Sequence, residues 1–363
     1  MWGRVCASLL VVGIMSLCVA AGTASAAFPG ANGRIAFERY SNLSLSVTTT
    51  DAGGGGAATL VDGARSPAWS ADGTKIAYVR SDAPEFESTI YVANADGTGE
   101  QRVGPDYDDP PGGPDFGYFT AIDNPAWSPD GRSLVYDRNV TICGGHACVV
   151  NPEGIWRINV DGTGEQPLAE FGNNPAWSPD GTKIAFDTGI YFYNAGDIAV
   201  VGADGRGEDR ITNTEADERE PNWSPDGTTL VFSSTPTLYS YEPSELKTAR
   251  TDGTFLTSLT DGSAFDVAPA WSPDGTKVVF ESSRGSGGLY TVNADGTGLT
   301  RLPASGPQDV EPDWQPLVGP RREDFKNAAH FCKAERSFMG EAAFAAKYGG
   351  GANGHGKCVN ASH

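Results

Sequence analysis

Six residues recur at one position in this chain, each immediately before a proline: Ser66, Asn124, Asn174, Glu220, Ala268 and Glu311. All but Ala268 carry a side-chain oxygen. Oxygens of this kind gathered on one axis suit a cation. A hard ion such as calcium would take about 6–8 oxygens. The same residues also suit a channel that is lined for water alone. A second group is aromatic: Tyr107, Phe116, Tyr118 and Phe119 between Gly104 and Asp123, with Tyr191, Phe192 and Tyr193 further on. Rings on loops stack on sugars or peptides, or pack back onto the scaffold.

Signals for covalent chemistry are weak. The Gly351 to Lys357 run has phosphate-loop spacing, but Cys358 stands where a Ser or Thr must meet magnesium. The histidines are 146, 330, 355 and 363, none inside a repeated strand. No G-x-S-x-G nucleophile elbow occurs. No catalytic residue is assigned, and the expected cofactor set is empty apart from calcium as an alternative.

The elements that position the six residues come from a repeat. Pro67-Ala68-Trp69-Ser70 recurs around Trp127, Trp177, Trp223 and Trp271, with a degenerate copy at Trp314; the tryptophans are 58, 50, 46, 48 and 43 residues apart. Such a period signals a propeller or another repeat array. After each of the first five comes an Asp-Gly turn, as at Asp130-Gly131, then a β-rich run such as Lys183-Ile184-Ala185-Phe186. A third run ends in a second turn, as at Asp295-Gly296, and a short fourth run completes the unit. Four antiparallel strands make one propeller blade. From Gly33 to Leu60 the chain supplies strands two to four with no Trp strand before them, and the Trp314 segment supplies a strand one with no blade after it. Joining the two ends closes six blades across residues 28–319. Seven blades would need one hidden in the 58-residue spacing.

The P-x-W-S-P-D-G unit with its later N-A-D-G-T-G turn resembles the WD-like repeats of TolB-type propellers, and similar repeats form the propeller of prolyl-oligopeptidase-like peptidases. The resemblance implies an all-β fold and leaves function open, because sites are grafted onto folds. TolB proper carries an α/β domain before its propeller, and here the first strand begins close behind the leader. The peptidases carry a hydrolase domain, for which no motif is present.

Charge and cysteines set the surroundings. The chain has 26 Lys plus Arg against 46 Asp plus Glu, a formal net charge of −20. That balance disfavours nucleic acid and anionic membranes, which call for basic residues. Residues 1–27 read as a cleaved secretory signal: Arg4, an apolar stretch, then Ala24-Ser25-Ala26. Export leaves Cys143, Cys148, Cys332 and Cys358 in an oxidising compartment. Cys143–Cys148 and Cys332–Cys358 are the simplest pairing. Residues 320–363 differ from the rest, and two short helices tied by Cys332–Cys358 are expected there. This segment resembles short Cys-paired tails on exported proteins of high-GC Gram-positive bacteria.

Strand order puts the long segments 81–88, 104–123, 138–153, 188–196 and 234–244 on one face. Over 81–88, 104–123, 213–220 and 303–311 there are 14 acids and a single base, Arg219. The expectation is therefore an exported, monomeric, non-catalytic binding or scaffold protein. It would dock a protein or cell-envelope ligand, cationic in character, through these acidic loops and the channel mouth. The alternative is a channel-site enzyme, a metal-dependent lyase or a lactonase-type hydrolase.

Overall fold

The computed structural model describes residues 27–41, 44–82, 87–104, 116–144, 147–189, 195–237, 242–254, 256–319, 327–348 and 352–361. Most of the expected leader lies outside these residues. The chain forms six four-stranded antiparallel sheets. Blade 2 shows the plan: β4 (Arg65–Trp69), β5 (Lys75–Asp82), β6 (Glu87–Asn94) and β7 (Gln101–Arg102) lie side by side in chain order. Blades 3 to 6 repeat it from their own Trp strands, β8 (Phe116–Trp127), β12 (Asn173–Trp177), β16 (Asp217–Trp223) and β20 (Asp266–Trp271). These first strands pack against one another from blade to blade. Blade 1 is composite. β24 (Asp309–Leu317) pairs with β1 (Ala31–Ser41), followed by β2 (Ser44–Thr50) and β3 (Ala58–Asp62). The last strand of the propeller thus completes its first blade, as the repeat implied, and no edge of that sheet is left at the seam.

Each tryptophan of the repeat is buried, from Trp69 at 0% exposed to Trp271 at 6%. The core lies between blades, where an indole of one blade meets the first strand of its neighbour. Trp127 Nε1 donates to the Ala68 carbonyl at 3.0 Å and Trp223 Nε1 to that of Ala176 at 3.1 Å. The Asp-Gly turns are closed by their own side chains. In five of them a serine hydroxyl donates to the aspartate at 2.6–2.7 Å. The same oxygen accepts the backbone N–H two residues on at 2.9–3.0 Å. Glycine follows because the backbone there has positive φ, +66° at Gly73, and an added Cβ at that residue would lie 2.0 Å from the Pro316 carbonyl oxygen.

Two expected loops contain strand among their described residues. The 104–123 segment ends in β8, and 138–153 is a hairpin of β9 (Ser133–Gly144) and β10 (Ala147–Asn159). Phe116, Tyr118 and Phe119 are therefore not loop residues: they pair with Gly144, Ile142 and Thr141 of β9. Cross-strand hydrogen bonding carries these strands well past the blade body, so the aromatics belong to a three-stranded extension. Tyr107 and residues 191–193 lie outside the described residues.

Residues 317–363 form a second compact unit. It holds α1 (Ala328–Tyr348) and α2 (Ala352–Ala361). The first helix is longer than expected and starts where Asn327 Oδ1 accepts the His330 N–H at 2.9 Å, an N-cap. Cys332 and Cys358 are disulfide-bonded with Cα atoms 5.9 Å apart, buried with Phe331 and Phe344. Cys143 and Cys148 are cross-strand neighbours of β9 and β10; their side chains lie outside what is described. No helix among the described residues is long and apolar enough to cross a membrane.

Candidate functional site: a ring of carboxyls around the channel

The six residues picked from sequence share one backbone state. Ser66, Asn124, Asn174, Glu220, Ala268 and Glu311 all have φ between 50° and 59°, the left-handed region, and among the described residues no other non-glycine does. Each precedes a proline, which disfavours helical backbone in the residue before it, so the state is held by its surroundings. The ladder between strands one and two breaks register here, as between Arg65 and Ala68 in blade 2 and between Arg219 and Asn222 in blade 5. The pre-proline residue and its proline form a bulge, where a missing N–H is tolerated.

What holds the bulge is a set of carboxyls that sequence analysis did not single out. They stand on strand two, directly after its buried aromatic: Glu38, Asp137, Asp187 and Glu281, with Val79 and Ser233 in the remaining blades. Glu38 Oε1 accepts the Ser66 N–H of the next blade at 2.6 Å. Asp137 Oδ2 accepts the N–H of Asn174 at 3.2 Å, and Asp187 Oδ2 that of Glu220 at 3.2 Å. In blade 5 the carboxyl comes from the bulge itself, since Glu220 Oε2 accepts the Ala268 N–H at 2.6 Å. Within blades, Asn124 Nδ2 donates to Asp137 at 2.6 Å and Asn174 Nδ2 to Asp187 at 2.7 Å. Ser66 Oγ donates to Asp123 at 2.5 Å. Glu38 and Glu311 are hydrogen-bonded to each other across the closing seam.

Seven carboxyls, Glu38, Asp123, Asp137, Asp187, Glu220, Glu281 and Glu311, thus form a ring whose members act on one another electrostatically. Two arginines enter it. Arg65 Nε lies 3.1 Å from Asp123, and Arg219 Nη1 is 3.9 Å from Asp187 while its Nε meets Asp217 at 2.8 Å. Burial, and after it charge, pushes five of these acids toward their neutral forms. Burial first, then Glu220 and Glu38, raise Glu281 to about 8. Burial and then Asp123 raise Asp137 to about 7. Burial also raises Glu38, Asp187 and Glu311, Asp187 against the pull of Arg219. Several buried oxygens make no hydrogen bond within the described residues: Oδ1 of Asn124, Asp137, Asn174 and Asp187, and Oε2 of Glu281 and Glu311. Buried acceptors without donors are costly.

Many acids assigned to the long loops belong here instead. Asp123, Asp217, Glu218, Glu220, Asp309 and Glu311 lie in β8, β16 and β24. Asp309 is buried against Arg39 at 2.7 Å. The acidic character therefore reaches inward along the first strands. Tyr40 stands beside the seam, 40% exposed, its hydroxyl pushed up by burial and then by Glu38 and Glu311. Among the described residues no group of three or more His, Cys, Asp or Glu is disposed to hold a metal ion.

No family model matches the sequence, and no curated protein matches it. Solved structures do match in fold. TolB from Acinetobacter baumannii aligns with a TM-score of 0.59 at 20% identity, over 78% of this chain and 67% of that one. A protein described as TolB from Agrobacterium tumefaciens aligns with a TM-score of 0.54 at 19% identity, over 78% of this chain and 91% of that one. Oligogalacturonate lyase in complex with manganese aligns with a TM-score of 0.51 at 14% identity, over 77% and 76%. The chain has the fold of TolB-type six-bladed β-propellers. At these identities the likeness concerns fold alone.

Proposed function

We propose that this protein is an exported, non-catalytic binding or scaffold module whose channel takes a cationic group from a protein or cell-envelope partner. The observation that carries the reading is the ring itself: seven mutually facing carboxyls against two arginines, with acceptor oxygens lacking donors. A lysine or arginine side chain supplies the missing donors and charge. Because Asp137 and Glu281 ionise near neutrality, such binding should release protons and tighten as pH rises.

Calorimetry with a heptalysine peptide tests this. Affinity should rise by about tenfold between pH 6 and pH 8 and fall in Asp137→Asn and Glu281→Gln, whereas a heptaglutamate peptide should not bind. Binding that ignores both substitutions would remove the channel from the proposal. Calcium is the alternative occupant, and a rise in melting temperature with calcium that chelator reverses would favour it. The rival reading, a channel-site lyase or lactonase-type hydrolase, draws on the fold likeness to a lyase, and Asp137 is the acid–base group it would use.

A further inference from the structure

Blade 3 carries a second feature, separate from the ring. Its third strand, β10, runs beside β9 over its whole length, but the outer strand β11 (Gln166–Ala169) pairs only with Ile155, Trp156 and Arg157. Gly154 bulges with φ +76°, and a Cβ there would lie 2.3 Å from the Ala169 carbonyl oxygen, so glycine lets the end of β11 come close against β10 at that point. Beyond it, toward the hairpin tip, Val149 to Glu153 have a strand partner on one side only among the described residues. Val149 and Val150 are 56% and 52% exposed although successive residues of a strand point to opposite faces.

The edge leads into a groove. A cavity of about 590 Å³ opens where β11 ends, lined by Pro152, Glu153, Trp156, Leu168, Glu170 and Phe171; Glu153 is ion-paired with Arg138 at 2.8 Å. Trp156 is held in place: its indole N–H donates to the Glu153 carbonyl at 2.9 Å, and Arg138 lies 4.5 Å above its ring. Phe171 is 52% exposed. Pro152 reports which way the edge faces. A proline in a ladder turns its nitrogen away from the paired strand, so the two-residue alternation gives Val150 an N–H and a C=O directed outward.

We propose that this free edge of β10 is a docking site for an extended, basic segment of another protein. The segment would add as a strand beside Val150 and set an apolar side chain into the Trp156–Phe171 groove. Charge decides among occupants. A second copy of this chain would bring Glu170 against itself on a molecule of net charge −20, whereas a basic segment meets Glu170 and that net charge with opposite sign.

The probe is a ten-residue peptide of alternating valine and lysine, used with the intact protein. Its control is the same peptide N-methylated on alternate residues, which keeps the charge and cannot complete a ladder. Hydrogen exchange should slow severalfold in 149–153 with the first peptide and not with the second. Val150→Pro should weaken binding by about tenfold or more with melting unchanged. The double change V149K/V150K, on two exposed side chains, should do the same by repulsion if the proline variant fails to fold. Equal binding of the methylated peptide, or binding untouched by both variants, would overturn the proposal. Concentration-dependent protection of the edge without peptide would assign it to a second copy and overturn it as well.

Discussion

Carboxylates repeat in two places in this propeller, and the two sets have opposite fates. In the Asp-Gly turns each aspartate sits near water with its donors already supplied. Hydrogen bonds from Ser128 and from Ser224 hold Asp130 and Asp226 below the usual range, as those from Thr98 and Thr297 do for Asp96 and Asp295. In the channel ring Glu38, Asp137, Asp187, Glu281 and Glu311 are withdrawn from water and pushed up, and all but Glu38 have an oxygen that no donor among the described residues meets. The same carboxyl group therefore closes a turn in one place and is left with oxygens that lack donors in the other. Net charge alone does not distinguish them; the count of donors per carboxylate does.

The contrast can be broken from either side. Asp187→Ala should have the largest effect, because the Asn174 amide and the Glu220 N–H lose their acceptor in a buried site. A loss of about 2–4 kcal/mol by urea unfolding is expected. Glu281→Gln should act in the other direction. With a folded pKa of about 8 and an ordinary value of 4.5, the wild-type carboxyl is neutral in both states at low pH. Between about pH 4.5 and pH 8 the unfolded chain ionises and the folded one does not, so stability falls as pH rises. The glutamine variant should be more stable by about 1–3 kcal/mol at pH 8 and indistinguishable at pH 4. Asp130→Ala removes a turn aspartate and should cost about 1 kcal/mol. Its pH signature is reversed: the wild-type carboxyl sits below its ordinary value, so its contribution is present above that value and fades in acid. A turn variant that altered heptalysine binding, or a ring variant that did not, would dissolve the distinction.

Six blades and their closing seam were legible because Trp, Asp-Gly and the hairpin runs recur with little variation. The bulge position was legible because it always precedes proline. Its carboxyl partners were not, since the strand-two position changes from Glu38 through Val79, Asp137, Asp187 and Ser233 to Glu281. No single letter marks it, and only the bulge shows that the N–H of one blade turns to the carboxyl of its neighbour. The extension of blade 3 was misread for a related reason. Gly, Pro and Asp in 104–123 and 138–153 read as loop, while strand formation there comes from pairing across β8, β9 and β10.

The composite first blade has a consequence in time. β1 waits for β24, and the Arg39–Asp309 pair that joins them spans 270 residues of chain. The ring therefore has no complete first sheet until almost the entire propeller has been synthesised. Loop-closure entropy rises only slowly with such length, but contacts this distant in sequence form late and slowly. A nascent chain therefore cannot complete its first blade before Asp309 and the strand it begins have been made.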